Sequence, residues 1–235
     1  MVRGINQDRA GQFFTGNCGL YFVADGMGGH YAGEKASETI FAMFASWWDE
    51  YVIAPQRPGF PQAVEQIRDI IQQCNLKIRQ ITPPHEICGA TLVLLWLTDK
   101  DYAVFSVGDS RCYLATRRGF LPHITQLTTD DVACGMGPGQ DGKLLRALGA
   151  DDHCLISMQT GQVPAKAVFA LCSDGVYKAC PEKTWMQLLR GALFGTSLQQ
   201  TSVLVSQEVR RNGAPDNYSL VLGRVHIRAS TMRAK

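Results

Sequence analysis

The chain has 235 residues, 46% hydrophobic and 19% charged, which makes it globular and long enough to bury one large core. A formal charge of +2 is too near neutral to make nucleic acid or an anionic membrane its main partner, and no Pro/Ser-rich linker or low-complexity tract divides it. Eight cysteines stand singly with no C-x-x-C pair, as reduced core residues do, and no apolar run approaches the roughly 20 residues of a membrane span, so a soluble cytoplasmic protein is expected.

A first, edge-lying strand is expected between Val2 and Phe14, and a second over Leu20–Asp25, where an apolar run ends on Asp25-Gly26-Met27-Gly28-Gly29-His30. Acid followed by glycine is an ordinary end to a strand, because glycine supplies the positive φ of a tight turn. Ala36, Ile40, Phe41, Phe44, Trp47 and Trp48 then follow helical spacing. After Pro55, Pro58 and Pro61, so do Val64, Ile67, Ile70, Ile71, Ile78 and Ile81. From Cys88 the period changes: Ala90–Leu97 and Tyr102–Val107 read as a hairpin, and Cys112–Ala115 as a further strand. Between Thr125 and Leu155 the pattern loosens, with Gly135, Gly137, Pro138, Gly139 and Gly142 close together, so a mobile flap is placed at about 130–150. A strand around Val168, helices from about Pro181 to Phe194 and Leu198 to Asn212, and a closing strand Asn217–Val225 lead to a short basic tail at 229–235.

The acid at a strand end recurs. Asp25 follows one apolar run, Gly108-Asp109 a second and Ser173-Asp174-Gly175 a third, while Asp216 precedes the closing run and Asp8 lies near the first. Five aspartates at strand ends can converge on one rim, where like charges are tolerated only with something cationic among them. Oxygen-only ligands point to a hard ion, Mg²⁺ or Mn²⁺.

The blocks Arg3-x-x-Asn6-Gln7-Asp8, Asp25-Gly26-Met27-Gly28-Gly29-His30, Gly89-Ala90-Thr91, Gly108-Asp109-Ser110-Arg111, Arg146-Ala147-Leu148-Gly149, Ser173-Asp174-Gly175 and Asp216-Asn217 occur in an order that resembles the metal-dependent protein phosphatases, the type 2C serine/threonine phosphatases, in their compact bacterial form. The resemblance implies an α+β fold over residues 1–228: a four-layer α-β-β-α sandwich of two antiparallel sheets with helical layers outside and a metal site at one end of the sheets. It implies that Asp25 bridges two Mn²⁺ or Mg²⁺ ions with help from the Gly26 carbonyl, that Asp8 and Gln7 lie beside them, and that Asp174 and Asp216 are direct ligands. Asp109 with Asp174 would hold a weaker third ion, Asn217 would orient its neighbouring carboxylate, and Arg3 would clamp the phosphate with its planar guanidinium.

The activity so implied is hydrolysis of phosphoserine and phosphothreonine by a water shared between the two ions, with no protein nucleophile. The expected partner is a phosphoprotein, either the target of a bacterial serine/threonine kinase or that kinase itself, met by a monomer that binds neither nucleic acid nor membrane. Met27 stands where some members carry a histidine acid, which leaves His30 as a weaker candidate, and Asp130 is an outlying candidate ligand. Ser110 and Ser173 lie outside any G-x-S-x-G elbow and read as structural. The alternatives are a catalytically silent phosphoprotein-binding regulatory module and a small-molecule phosphohydrolase; silence is disfavoured because every carboxylate the metal pair needs is present.

Overall fold

The computed structural model describes residues 4–28, 32–119, 121–134 and 142–226. In chain order these form β1 (Asp8–Thr15), β2 (Cys18–Gly28), α1 (Ala32–Ile53), α2 (Phe60–Ile81), β3 (Cys88–Thr98), β4 (Asp101–Val107), β5 (Arg111–Arg118) and β6 (Leu121–Gln126). There follow β7 (Ser157–Gln162), β8 (Lys166–Cys172), α3 (Asp174–Tyr177), α4 (Glu182–Phe194), α5 (Leu198–Arg211) and β9 (Leu220–His226). The strands make two wholly antiparallel sheets, one in the order β1-β2-β3-β4-β7 and the other β6-β5-β8-β9.

Period-two alternation explains how the layers stack. β3 is apolar along most of its length because both its faces are covered. Leu92, Leu94 and Trp96 join a core with α1 and α2, whereas Val93 and Leu95 join another that meets Phe169 and Leu171 of the opposite sheet. On β8, Val168 and Ala170 turn the other way, into a third core with Trp185 and Leu189 of α4 and Val205 and Val209 of α5. The result is helices, sheet, sheet, helices, as the resemblance implies. In α2 the buried residues Val64, Ile67, Ile71, Cys74 and Ile78 recur at helical spacing, and Gln62 caps the helix start by accepting from the Gly59 N–H at 3.2 Å. Trp47, Trp48 and Tyr51 of α1 meet Trp96 edge-on with ring centroids 5.7, 6.4 and 5.2 Å apart, contacts that add roughly 0.5–1.5 kcal/mol each beyond burial. Among the described residues no helix is long and apolar enough to cross a membrane.

Several boundaries differ from the expectation. β1 begins at Asp8 rather than Val2. β2 does not stop at Asp25: Gly26, Met27 and Gly28 continue it, paired with Ala90, Gly89 and Cys88 of β3. The alternating edge strand β6, the polar edge strand β7 and the single turn α3 have no counterpart in the periodicity reading. The described ends of the 130–150 flap are stitched to each other by a bridge between Val132 and Leu144 and to β3 by a bridge between Leu148 and Ala90, which gives their backbone donors partners. The centre of that flap, at 135–141, and the tail at 229–235 lie outside the described residues.

Candidate active site

The two sheets end together at one rim, and the acids gather there. Asp8 and Asp25 are direct partners across β1 and β2. Asp25 alternates with Val23 and so belongs to the inter-sheet face, where Asp174 arrives from the end of β8. The Ser173 hydroxyl ties the sheets together: it donates to Asp8 Oδ2 at 2.8 Å and accepts from the Ser219 N–H at 2.9 Å. Gln7 makes a second tie. Its N–H donates to Asn217 Oδ1 at 3.0 Å, and its carbonyl accepts from the Gly26 N–H at 3.1 Å and the Ser37 hydroxyl at 2.6 Å. Asp216 sits on the same turn as Asn217 and accepts from the Asn217 N–H at 2.9 Å.

The glycines beside the acids serve close approach rather than turning. A Cβ on Gly26 would lie 2.1 Å from the carbonyl oxygen of Gly33 in α1, and one on Gly175 would lie 1.9 Å from the Asn217 carbonyl oxygen. Neither glycine has a positive φ. Only a residue without a side chain lets β2 run against the start of α1, or lets the Asp174 turn press against the Asp216-Asn217 turn.

Electrostatically the rim is strained. Burial, then the charges of Asp8 and Asp174, hold the Asp25 carboxyl well above the usual carboxylate range. Asp8, only 2% exposed, is also pushed up by burial, against the hydrogen bonds from Ser173 and Ser219, and its Oδ1 is buried with no hydrogen-bond partner. Asp109, at the turn after β4, is raised by burial and by the charge of Asp174. Its turn is fixed by Asp131, which accepts from the Gly108 N–H at Oδ2 and returns its own N–H to the Gly108 carbonyl, each at 3.0 Å. The Tyr177 hydroxyl lies 3.2 Å from Asp109 Oδ2, and the Lys178 ammonium lies 2.6 Å from Asp174 Oδ2 and 3.5 Å from Asp109 Oδ2.

The structure thus brings Asp8, Asp25, Asp109 and Asp174 into one neighbourhood, with Gln7, Gly26, Asp216 and Asn217 packed around it. Arg3 and His30 lie outside the described residues. Asp130 is no ligand in this arrangement, since Arg111 takes both its oxygens, with Nε at 3.0 Å from each and Nη2 at 2.6 Å from Oδ2. Ser110 bonds Thr91 at 2.8 Å, so both serines beside acids are structural ties. The sequence reading missed Asp131, Tyr177 and Lys178. Of these, Lys178 carried a usable signal, because Asp174 and Lys178 have the i, i+4 spacing of a helical ion pair.

Among the described residues no three acidic, histidine or cysteine side chains close on one point as a ready metal cluster. The donor chemistry nonetheless fits hard divalent cations: the donors are oxygens, one buried carboxylate oxygen lacks any donor, and burial and two like charges raise the Asp25 carboxyl, which a cation among them would offset.

A family model described as protein phosphatase 2C matches residues 3–209. The serine/threonine phosphatase stp of Listeria monocytogenes is 28% identical over 239 residues, covering 94% of this chain and 90% of that protein. PppA of Pseudomonas aeruginosa, described as a regulatory component of T6SS, superimposes with a TM-score of 0.76 at 27% identity over 95% of this chain and 93% of its own. Staphylococcus aureus Stp1 shares the fold with a TM-score of 0.79 at 22% identity, over 96% of this chain and 91% of its own. Aspartates gathered at the rim of a two-sheet sandwich, together with a match running from residue 3 to residue 209, make the chain a member of the protein phosphatase 2C family.

Proposed function

We propose that the rim is the active centre of a serine/threonine phosphoprotein phosphatase and that residues 1–228 are one catalytic domain built around it. The observation that carries this reading is the Asp8–Asp25 pair: two acids held opposite each other, one with an orphaned buried oxygen and one whose carboxyl is held well above the usual carboxylate range by burial and then by its acidic neighbours. Asp25, Asp8, Asp174, Asp216 and the Gly26 carbonyl would hold Mn²⁺ or Mg²⁺. When bound, a pair of such ions lowers the pKa of water toward neutrality and offsets charge on phosphoryl oxygens.

The rest is done by the chain's own groups. Asn217 and Gln7 fix the two turns that carry Asp216 and Asp8, and Ser173 fixes the Asp8 carboxylate. Among the described residues named at the rim, no side chain is prepared as a nucleophile. Ser173 and Ser110 have their hydroxyls engaged, and burial pushes the thiols of Cys74 up to about 12 and of Cys154 and Cys180 up to about 11. Arg3 is assigned the phosphate by family resemblance, and His30 the weaker role of proton donor by its nearness in sequence to Asp25, since Met27 stands at the family's own acid position. The substrate is a phosphoprotein made by a bacterial serine/threonine kinase, or that kinase.

The test compares kcat/KM for a phosphothreonine peptide and for p-nitrophenyl phosphate with Mn²⁺ present. The peptide is expected to turn over more efficiently. Preference for the small ester would favour a small-molecule phosphohydrolase, and metal binding without any turnover would favour a silent binding module.

A further inference from the structure

The place where the resemblance puts a weaker third ion, between Asp109 and Asp174, already holds a cation. Lys178 Nζ is 2.6 Å from Asp174 Oδ2 and 3.5 Å from Asp109 Oδ2. It is no wandering surface lysine, because its main-chain N–H also donates to the Asp174 carbonyl at 2.9 Å, so both backbone and side chain are tied to the same aspartate. Asp109 is held from a second side. The Tyr177 hydroxyl lies 3.1 Å from its carbonyl oxygen and 3.2 Å from its Oδ2, so the oxygen facing Lys178 has two donors. Tyr177 is itself pinned by Arg111, whose guanidinium lies 3.5 Å from its ring centroid and is anchored bidentately to Asp130. Every link from Asp130 through Arg111, Tyr177, Asp109 and Lys178 to Asp174 is a direct contact.

We propose that Lys178 is the resident cation of the Asp109–Asp174 pair, so that this protein binds two divalent ions where the family resemblance implies up to three. The physical reason is competition for the same oxygens. A divalent ion between these carboxylates would compete for Asp109 Oδ2 and Asp174 Oδ2, both of which the ammonium reaches and the first of which the phenol also reaches, and would sit within a few ångströms of a like charge. A lysine supplies one positive charge permanently, independent of metal concentration, and it neutralises the outer half of the acidic rim without joining the inner Asp8–Asp25 half. Its role is positional: it holds the Asp174 carboxylate from the outside while the inner face of that residue remains turned toward Asp25.

This inference rests on the metal reading above, and the experiment separates the two. Mn²⁺ stoichiometry is measured by isothermal titration calorimetry and by equilibrium dialysis on the native protein, on Lys178→Met, which keeps the stem length and removes the charge, and on Lys178→Met with Asp109→Asn. Lys178 is exposed, so its replacement is not expected to unfold the chain, and circular dichroism checks this. The expected result is two ions for the native protein, three for Lys178→Met with the added one weaker, and two again for the double variant. Three ions on the native protein, or two on Lys178→Met, would overturn the inference and leave the metal reading standing. No binding to the native protein would overturn both.

Discussion

If Asp25 is held between like charges, replacing it with a neutral isostere stabilises the metal-free protein while destroying its function. The perturbation is Asp25→Asn. Asp8 and Asp25 are partners on adjacent strands, which puts their Cβ atoms about 5 Å apart, and at an effective dielectric of about 20 two unit charges no farther apart than that repel by at least roughly 3 kcal/mol. Partial protonation relieves some of this, so a gain of about 1–3 kcal/mol is expected, or about 2–12 °C in Tm for a domain of this size. The sign follows from the raised pKa of Asp25. Its folded form keeps the proton to a higher pH than the unfolded chain does, so stability is lost as pH rises from the ordinary carboxylate value through the folded one. The advantage of the asparagine is therefore absent near pH 3–4 and full once Asp25 is ionised in the folded state. Thermal melts in EDTA across that range are the assay. At Mn²⁺ a hundredfold above Kd, each occupied site adds about 2.7 kcal/mol to the native protein, and the order of the two melting curves reverses. An Asp25→Asn protein that melts below the native one in EDTA at pH 7 would refute the electrostatic account.

Two further substitutions probe the supports of the rim. Asn217→Ala removes the acceptor of the Gln7 N–H, and Mn²⁺ affinity measured by calorimetry is expected to fall by about 10–100-fold while secondary structure is retained. Gly26→Ala forces a methyl group to within 2.1 Å of a backbone carbonyl in α1. Because backbone cannot rotate away, a loss of about 3 kcal/mol or more, some 6–12 °C by differential scanning calorimetry, is expected; an unchanged Tm would mean that β2 and α1 are not in register as described.

Much of this molecule was legible in the sequence because its central elements are covered on predictable faces. Val64, Ile67, Ile71 and Ile78 announce α2, and the unbroken run from Ala90 to Leu97 announces a strand buried on both sides. What escaped depends on partners far along the chain. β7 is the polar run Ser-Met-Gln-Thr-Gly-Gln, and only its pairing with β4 makes it a strand. Gly26 and Gly175 read as turn formers because Asp-Gly usually is one, whereas their function is to admit the backbones of Gly33 and Asn217, which no local pattern encodes. The acids were found because each follows or precedes an apolar run, and the strand registers then bring Asp8 opposite Asp25. The Lys178 bridge shows in sequence only as an i, i+4 spacing from Asp174, because α3 is a single turn, too short for apolar periodicity to mark it as a helix.

The most direct test of the central claim is phosphate release from a phosphothreonine peptide by the native protein, Asp25→Asn and Asp174→Asn, each with Mn²⁺ and with EDTA. The account predicts turnover by the native protein only with Mn²⁺, and a loss of more than about 100-fold in each variant, since even partners of metal ligands cost 10–100-fold. Turnover that survives EDTA, or that persists near the native rate in either variant, would contradict it.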